Sequence, residues 1–147
     1  MICLSKEDEI KLCFIASLSN RHVVNKRIKI MSQEKDLYIL WTNDNVITAE
    51  NMVFMYLNFC MKNKKWKSVT LIIWGATVKL TAENDKIVEL IHQAEANGVH
   101  VSACLGCATK LNLVGELQQL HIDMKYWGEY LTEIIDNENG NIKLITI

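Results

Sequence analysis

Two cysteines, Cys104 and Cys107, stand three residues apart directly after the apolar run Val99–Ala103. The run is typical of a strand, and the residues after Cys104 are typical of the start of a helix. A helix start offers unpaired backbone N–H groups and the positive end of the helix dipole, and both favour a thiolate over a thiol. The sequence therefore predicts that Cys104 is a reachable, ionisable sulfur and the chemical centre of the protein.

Cys107 lies one helical turn after Cys104, and this position leaves its role open. It can form a disulfide with Cys104, or it can be a packing residue of the helix. A structural zinc site needs four ligands. The sequence offers no second cysteine pair and no histidine pair at ligand spacing, because His92, His100 and His121 are scattered. We therefore expect no metal site and no cofactor.

The remaining cysteines carry no comparable signal. Cys60 lies in an apolar helical pattern, and Cys3 and Cys13 lie near the start of the chain. Most free cysteines are small buried hydrophobes, and we expect these three to be packing residues. Five cysteines are an odd number without the spacing of a disulfide framework. This usage predicts reduced thiols and a cytoplasmic location.

Strand and helix patterns alternate along the chain. Continuous apolar runs at 37–41 and 68–74 are typical of strands that are buried on both faces. We expect further strands at 99–103, 122–126 (near a sheet edge) and 142–147. Helices are expected at 49–63 after a Thr48 cap, 82–96 after a Thr81 cap, 104–111, 114–120 and 130–136. This order predicts a three-layer α/β/α sandwich with a mainly parallel sheet of about five strands.

The carboxyl ends of the predicted strands bring polar and aromatic residues to one rim. Ligands of open parallel sheets bind beyond those ends. The pocket predicted around Cys104 consists of Asn43, Asp44, Trp74, Gly75, Trp127, Gly128 and Glu129. A tryptophan at such an end can also be simple rim packing.

Composition excludes several classes of protein. The formal net charge of −1 is unlike the clustered basic face that nucleic acid requires. No apolar run reaches the roughly 18 residues of a membrane span. A thioredoxin needs a cis-proline beside its thiols, and this chain has no proline. A flavodoxin phosphate loop is disfavoured because residues 42–48 contain no glycine.

The first 30 residues differ from the rest of the chain. The polar sequence MSQEKD, which begins at Met31, directly precedes the first strong strand pattern. We interpret residues 1–30 as an N-terminal extension that is not part of the natural domain, and residues 31–147 as one α/β domain.

Five segments from Met31 onward resemble the DsrE/DsrF-like family of sulfur-relay proteins. They read LYILWT, ENMVFMY, VTLIIWG, GVHVSACLGCA and IDMKYWGEYLTE. The resemblance implies a DsrE/F-like α/β domain of flavodoxin-like topology, usually a homo-oligomer and here a trimer or hexamer, with sulfur donor and acceptor proteins as partners. It also implies that Cys104 carries sulfur as a persulfide, because it matches the family cysteine after the third strand. Cys107 lies outside the relay pattern.

Three functions remain open from the sequence. The first is a sulfurtransferase-like carrier with a persulfide on Cys104. The second is a non-catalytic oligomeric binding module in which the cysteines only pack. The third is a dithiol redox sensor that uses Cys104 and Cys107. Oligomerisation is also suggested by the helix that contains Met52, Met55, Tyr56, Phe59 and Met61, which has more apolar faces than one side of a sheet can cover.

Overall fold

The strands form from the apolar runs of the sequence. A computed structural model describes residues 34–147, and within this range five strands make one sheet. They are β1 (Asp36–Trp41), β2 (Ser68–Ile73), β3 (His100–Cys104), β4 (Asp123–Lys125) and β5 (Ile142–Thr146). Every neighbouring pair of strands is parallel.

Helices cover both faces of the sheet. On the first face lie α1 (46–62), α2 (Ala76–Glu83), α3 (Asp85–Ala96), α4 (Leu105–Leu111) and α5 (Val114–Gln119), and on the second lies α6 (Trp127–Ile135). Helix α1 consists of three consecutive segments, Val46–Thr48, the π-helical Ala49–Phe54 and Met55–Lys62. The predicted three-layer α/β/α sandwich with a five-stranded parallel sheet is confirmed.

The strand order is β4-β3-β2-β1-β5. It differs from the flavodoxin order 2-1-3-4-5, so the expected flavodoxin-like topology is wrong in this respect. From β1 to β4 the chain always adds the next strand on the same side, and the connecting helices all lie on the first face. The chain then returns through α6 on the second face and places β5 beside β1.

Apolar side chains on both faces hold the layers together. The alternate β1 residues Leu37, Ile39 and Trp41 are fully buried in the larger core, beneath the helices of the first face. On the second face a smaller cluster contains Ile72, Cys104 and Trp127. Because residues of one strand alternate between faces, the last position of β3 directs Cys104 toward α6.

Two helix starts differ from the prediction because asparagines supply the caps. Helix α1 begins at Val46, since the Asn45 side chain accepts a hydrogen bond from the Thr48 N–H at 3.0 Å. Thr81 is not a cap, because it is fully buried within the unpredicted helix α2. The Asn84 side chain caps α3 instead and accepts from the Ile87 N–H at 3.2 Å.

The later elements are close to their predicted positions. Helix α5 is a separate helix, because Asn112 adopts a left-handed conformation with φ 57° and ends α4. Helix α6 begins at Trp127 rather than Tyr130. Strand β4 is at a sheet edge, as expected.

No helix within residues 34–147 has both the length and the apolarity to cross a bilayer. The proposed extension 1–30, with Cys3 and Cys13, lies outside the described residues. Cys60 is buried in the first-face core, which agrees with its predicted packing role.

Candidate functional site

Cys104 lies at the end of β3. From β3 and from its neighbour β4 the chain leaves the sheet toward opposite faces. Cys104 is the register partner of Lys125, which ends β4. The chain continues from β3 into α4 on the first face and from β4 into α6 on the second. Such a divergence between adjacent parallel strands opens the crevice in which ligands of α/β proteins bind. The fold therefore places Cys104 at the topological switch point.

The Cys104 sulfur caps the helix that follows it. The Cys107 N–H donates to Cys104 Sγ at 3.4 Å, and Cys104 is the N-cap residue of α4. The expected backbone donor is thus present, although α4 is a short helix of seven residues.

Cys104 is less accessible than the sequence predicts, with 5% of its surface exposed. The reason is that Ser102 and Cys104 share the face of β3 that α6 covers. Trp127 packs beside Cys104, and its Nε1 donates a buried hydrogen bond to Ser102 Oγ at 3.1 Å. The indole is therefore fixed as a wall of the thiol site.

Cys107 is the more open of the two thiols. It is partly exposed and contacts both apolar clusters. Burial raises the pKa of the Cys107 thiol above its usual value, and a side-chain hydrogen bond with Cys104 acts in the same direction. The Gly75 backbone and the Lys110 charge act in the opposite direction without cancelling the shift. Cys107 is consequently less ionised at neutral pH than an ordinary thiol.

A cavity of about 500 Å³ opens beside Cys107, between α2 and α4. Its lining consists of Asp44, Gly75, Ala76, Lys79, Leu80, Glu83, Cys107, Lys110 and Leu111. Gly75 adopts a positive φ of 68° at the start of α2, a conformation that favours glycine. The structure thus brings the predicted Asp44, Gly75 and Cys107 to one cavity.

The other predicted site residues lie elsewhere. Trp74 and Trp127 belong to the cluster around Cys104. Asn43 is an exposed turn residue whose carbonyl accepts from Trp41 Nε1 at 2.8 Å. Gly128 and Glu129 are exposed in the first turn of α6 and do not line the cavity. They were expected to precede the helix, whereas the structure places them within its first turn.

Several site residues were missed from the sequence. Lys79 and Glu83 depend on the unpredicted helix α2, and their spacing of four residues was the available signal. Tyr126 is 64% exposed. Its ring and Cys104 Sγ both border Gly106, and each lies 3.9 Å from the point where a Cβ on that glycine would be. The crevice beside Cys104 is therefore bordered by an exposed aromatic ring.

Lys125 brings a positive charge to the second-face side of the site. Its Nζ lies 3.9 Å from the centre of the Trp127 ring and 4.3 Å from that of Tyr130. The lysine therefore braces the indole that shields Cys104. Within residues 34–147 no three His, Cys, Asp or Glu side chains are grouped so that they could hold a metal ion.

The fold and the site define a three-layer α/β/α protein with a paired-thiol centre at its topological switch point. No family model and no curated protein matches the chain. Among solved structures it is similar to a conserved protein of unknown function, BT1422, from Bacteroides thetaiotaomicron. The two are 34% identical with a TM-score of 0.72, over 80% of this chain and 98% of the other. The chain belongs to the same family as that protein.

Proposed function

We propose that the protein is a sulfur carrier that holds a persulfide on Cys104, as the DsrE/DsrF-like proteins that its sequence resembles do. The observation that carries the proposal is the thiol pair at the switch point. The Cys104 sulfur receives a backbone N–H at 3.4 Å, and a second, more open thiol lies beside it. This arrangement combines a hydrogen-bonded sulfur with a second thiol that is closer to the surface.

Burial suits a residue that stores sulfur. A persulfide exposed to solvent reacts with passing thiols and oxidants, and both reactions need access to the outer sulfur. Cys104 is enclosed by Ile72 and Trp127, and only 5% of its surface is exposed. The enclosure supports storage rather than rapid exchange with bulk solvent.

The carrier chemistry is an exchange of sulfur between thiols. The Cys104 thiolate attacks the outer sulfur of a donor persulfide, R–S–SH, and the S–S bond of the donor breaks. The products are Cys104–S–SH and the donor thiol R–SH, which takes the proton that Cys104 gave up. An acceptor thiol, expected on a partner protein, then removes the outer sulfur in the same way and regenerates Cys104.

Dithiol–disulfide exchange is the second candidate. It is favoured by the closeness of the two residues, since the Cys107 N–H donates to Cys104 Sγ at 3.4 Å. The raised pKa of Cys107 slows it, because only the ionised fraction of that thiol attacks a disulfide at neutral pH. The three described cysteines are free thiols, which is consistent with the reducing cytoplasm that we propose as the location.

Loading with a persulfide donor and intact-mass measurement tests the function. The wild type is expected to gain one sulfur atom and to keep it through a brief wash with a small thiol, whereas Cys104→Ser loses it. Cys60→Ala is the matched control, because Cys60 is a buried thiol in the other core and its loss leaves the adduct unchanged. Absence of an adduct on the wild type, or equal retention by Cys104→Ser, contradicts the carrier function. The binding-module alternative then remains.

We also propose that the protein assembles as a homo-oligomer, a trimer or hexamer by the resemblance. Support comes from α1, where Ile47, Met52, Met55 and Phe59 are each at least half exposed. Large apolar side chains exposed together on one helix are typical of association sites. Light scattering is expected to give a multiple of the monomer mass, and Met55→Lys to lower it. The exposed Gln93→Lys on α3 is the control, and a monomeric wild type contradicts the assembly.

A further inference from the structure

The cavity beside Cys107 has features of a ligand site that carrier chemistry alone does not require. Its volume of about 500 Å³ is in the range of small-molecule pockets. Cys107 is the only thiol in its lining, and Cys104 is not part of it. A molecule in the cavity therefore meets Cys107 first.

The lining carries charges of both signs. Lys79 and Lys110 supply two cations, and Asp44 and Glu83 supply two carboxylates. Lys79 and Glu83 form an ion pair at 3.9 Å, and their side chains are 60% and 58% exposed. Exposed pairs of this kind are weak, so a charged ligand can take the place of either partner.

This charge pattern selects between classes of ligand. A polyanion such as a nucleotide is disfavoured, because Asp44 and Glu83 would repel its phosphates. A wholly apolar molecule would offer no partner to the charges of Asp44 and Lys110 at the cavity. A small zwitterion satisfies both signs, since its carboxylate can approach the lysines and its ammonium the acidic side chains. The apolar residues Leu80 and Leu111 then contact its short carbon chain.

From the cavity, its mixed charges and its single thiol, we propose that it binds a small zwitterionic aminothiol in persulfide form and passes the outer sulfur through Cys107 to Cys104. This route rests on the carrier function proposed above. In the first step the ionised fraction of Cys107 attacks the outer sulfur of R–S–SH, and Cys107–S–SH and R–SH result, with the proton of Cys107 passing to the departing thiolate. In the second step Cys104–SH takes the outer sulfur, and Cys107–SH is regenerated. One S–S bond breaks and one forms in each step, without any external oxidant.

Binding is tested separately from sulfur transfer with S-methyl-L-cysteine, a zwitterion that cannot donate sulfur. Titration into the full chain, followed by NMR, is expected to show binding that weakens roughly tenfold in Lys110→Gln, the size of one charged contact. Lys143→Gln, on β5 and outside the cavity lining, is the matched control and binds as the wild type does. Absence of binding, or an equal effect of both variants, overturns the ligand class.

Loading rates test the route. Cysteine persulfide is expected to load the wild type roughly tenfold faster than the uncharged 2-hydroxyethyl persulfide, and Lys110→Gln to remove this preference. Lys110→Gln should slow loading by inorganic polysulfide and by 2-hydroxyethyl persulfide alike, through the smaller ionised fraction of Cys107, and should slow loading by cysteine persulfide more. Equal rates for the two organic donors overturn the inference and leave the carrier function standing if polysulfide still loads Cys104. Binding of S-methyl-L-cysteine without loading by any donor leaves the ligand class standing and overturns the carrier function and the route.

Discussion

The hydrogen bond from Trp127 Nε1 to Ser102 Oγ fixes the wall of the Cys104 site, and its removal has a calculable effect. Both residues are buried, and the bond is 3.1 Å long. In Ser102→Ala the indole N–H loses its partner, which costs about 1–3 kcal/mol. In Trp127→Phe the serine hydroxyl is left alone and ring contacts are lost, a cost of about 2–4 kcal/mol.

The double variant separates the bond from the packing. Because it leaves neither group unpaired, its loss of stability is expected to be smaller than the sum of the single losses by about 1 kcal/mol. Urea unfolding followed by circular dichroism measures the four free energies. The matched control is Trp66→Phe with Ser102→Ala, because Trp66 packs against the first-face core and its effect should add to that of Ser102→Ala.

The same variants report on access to Cys104. If alkylation of the enclosed thiol proceeds through local opening at Trp127, a loss of about 1.4 kcal/mol in local stability speeds it roughly tenfold. Iodoacetamide labelling of Cys104, quantified by mass spectrometry, is expected to accelerate in Trp127→Phe and not in Trp66→Phe. Additive free energies together with unchanged labelling would refute the role of the indole as a wall.

Three further predictions concern ionisation and helix capping. Because the pKa of Cys107 is raised, its alkylation rate should still be rising at pH values above the usual pKa range of a thiol. Lys110→Gln should slow this alkylation at neutral pH, because it removes a charge that lowers the pKa of Cys107. Burial also raises the pKa of Cys60. As the pH rises, this thiol therefore ionises in the unfolded chain before it does in the folded one. The free energy of unfolding should consequently fall between neutral pH and about pH 10. Urea titrations should show a shallower fall in Cys60→Ala, and an equal fall contradicts this assignment. Asn84→Ala should cost about 1 kcal/mol through loss of the α3 cap, and an unchanged urea midpoint would contradict it.

Much of the sheet is predictable because its strands are strong apolar runs. Residues 37–41 and 68–74 have no competing helical pattern. Helix α2 was missed because two of its inward residues, Thr77 and Thr81, are polar in the sequence. Thr77 Oγ1 donates to the Trp41 carbonyl at 2.9 Å, a partner distant in the chain, so its burial depends on tertiary structure.

The candidate site was likewise predictable only in part. The spacing of Cys104 and Cys107 after a strand indicated a paired-thiol centre at a strand end. Accessibility was not predictable, since it depends on α6 covering the second face and placing Trp127 against Cys104. Lys79 was missed because it reaches the site only through α2, which was not predicted.

The most direct test of the carrier function is the position of the stored sulfur. After loading with a persulfide donor and removal of the excess, tandem mass spectrometry of the peptide that contains both thiols locates the added atom. We predict that it is on Cys104, with Cys107 unmodified. Stable sulfur on Cys107 beside an unmodified Cys104 would contradict the account.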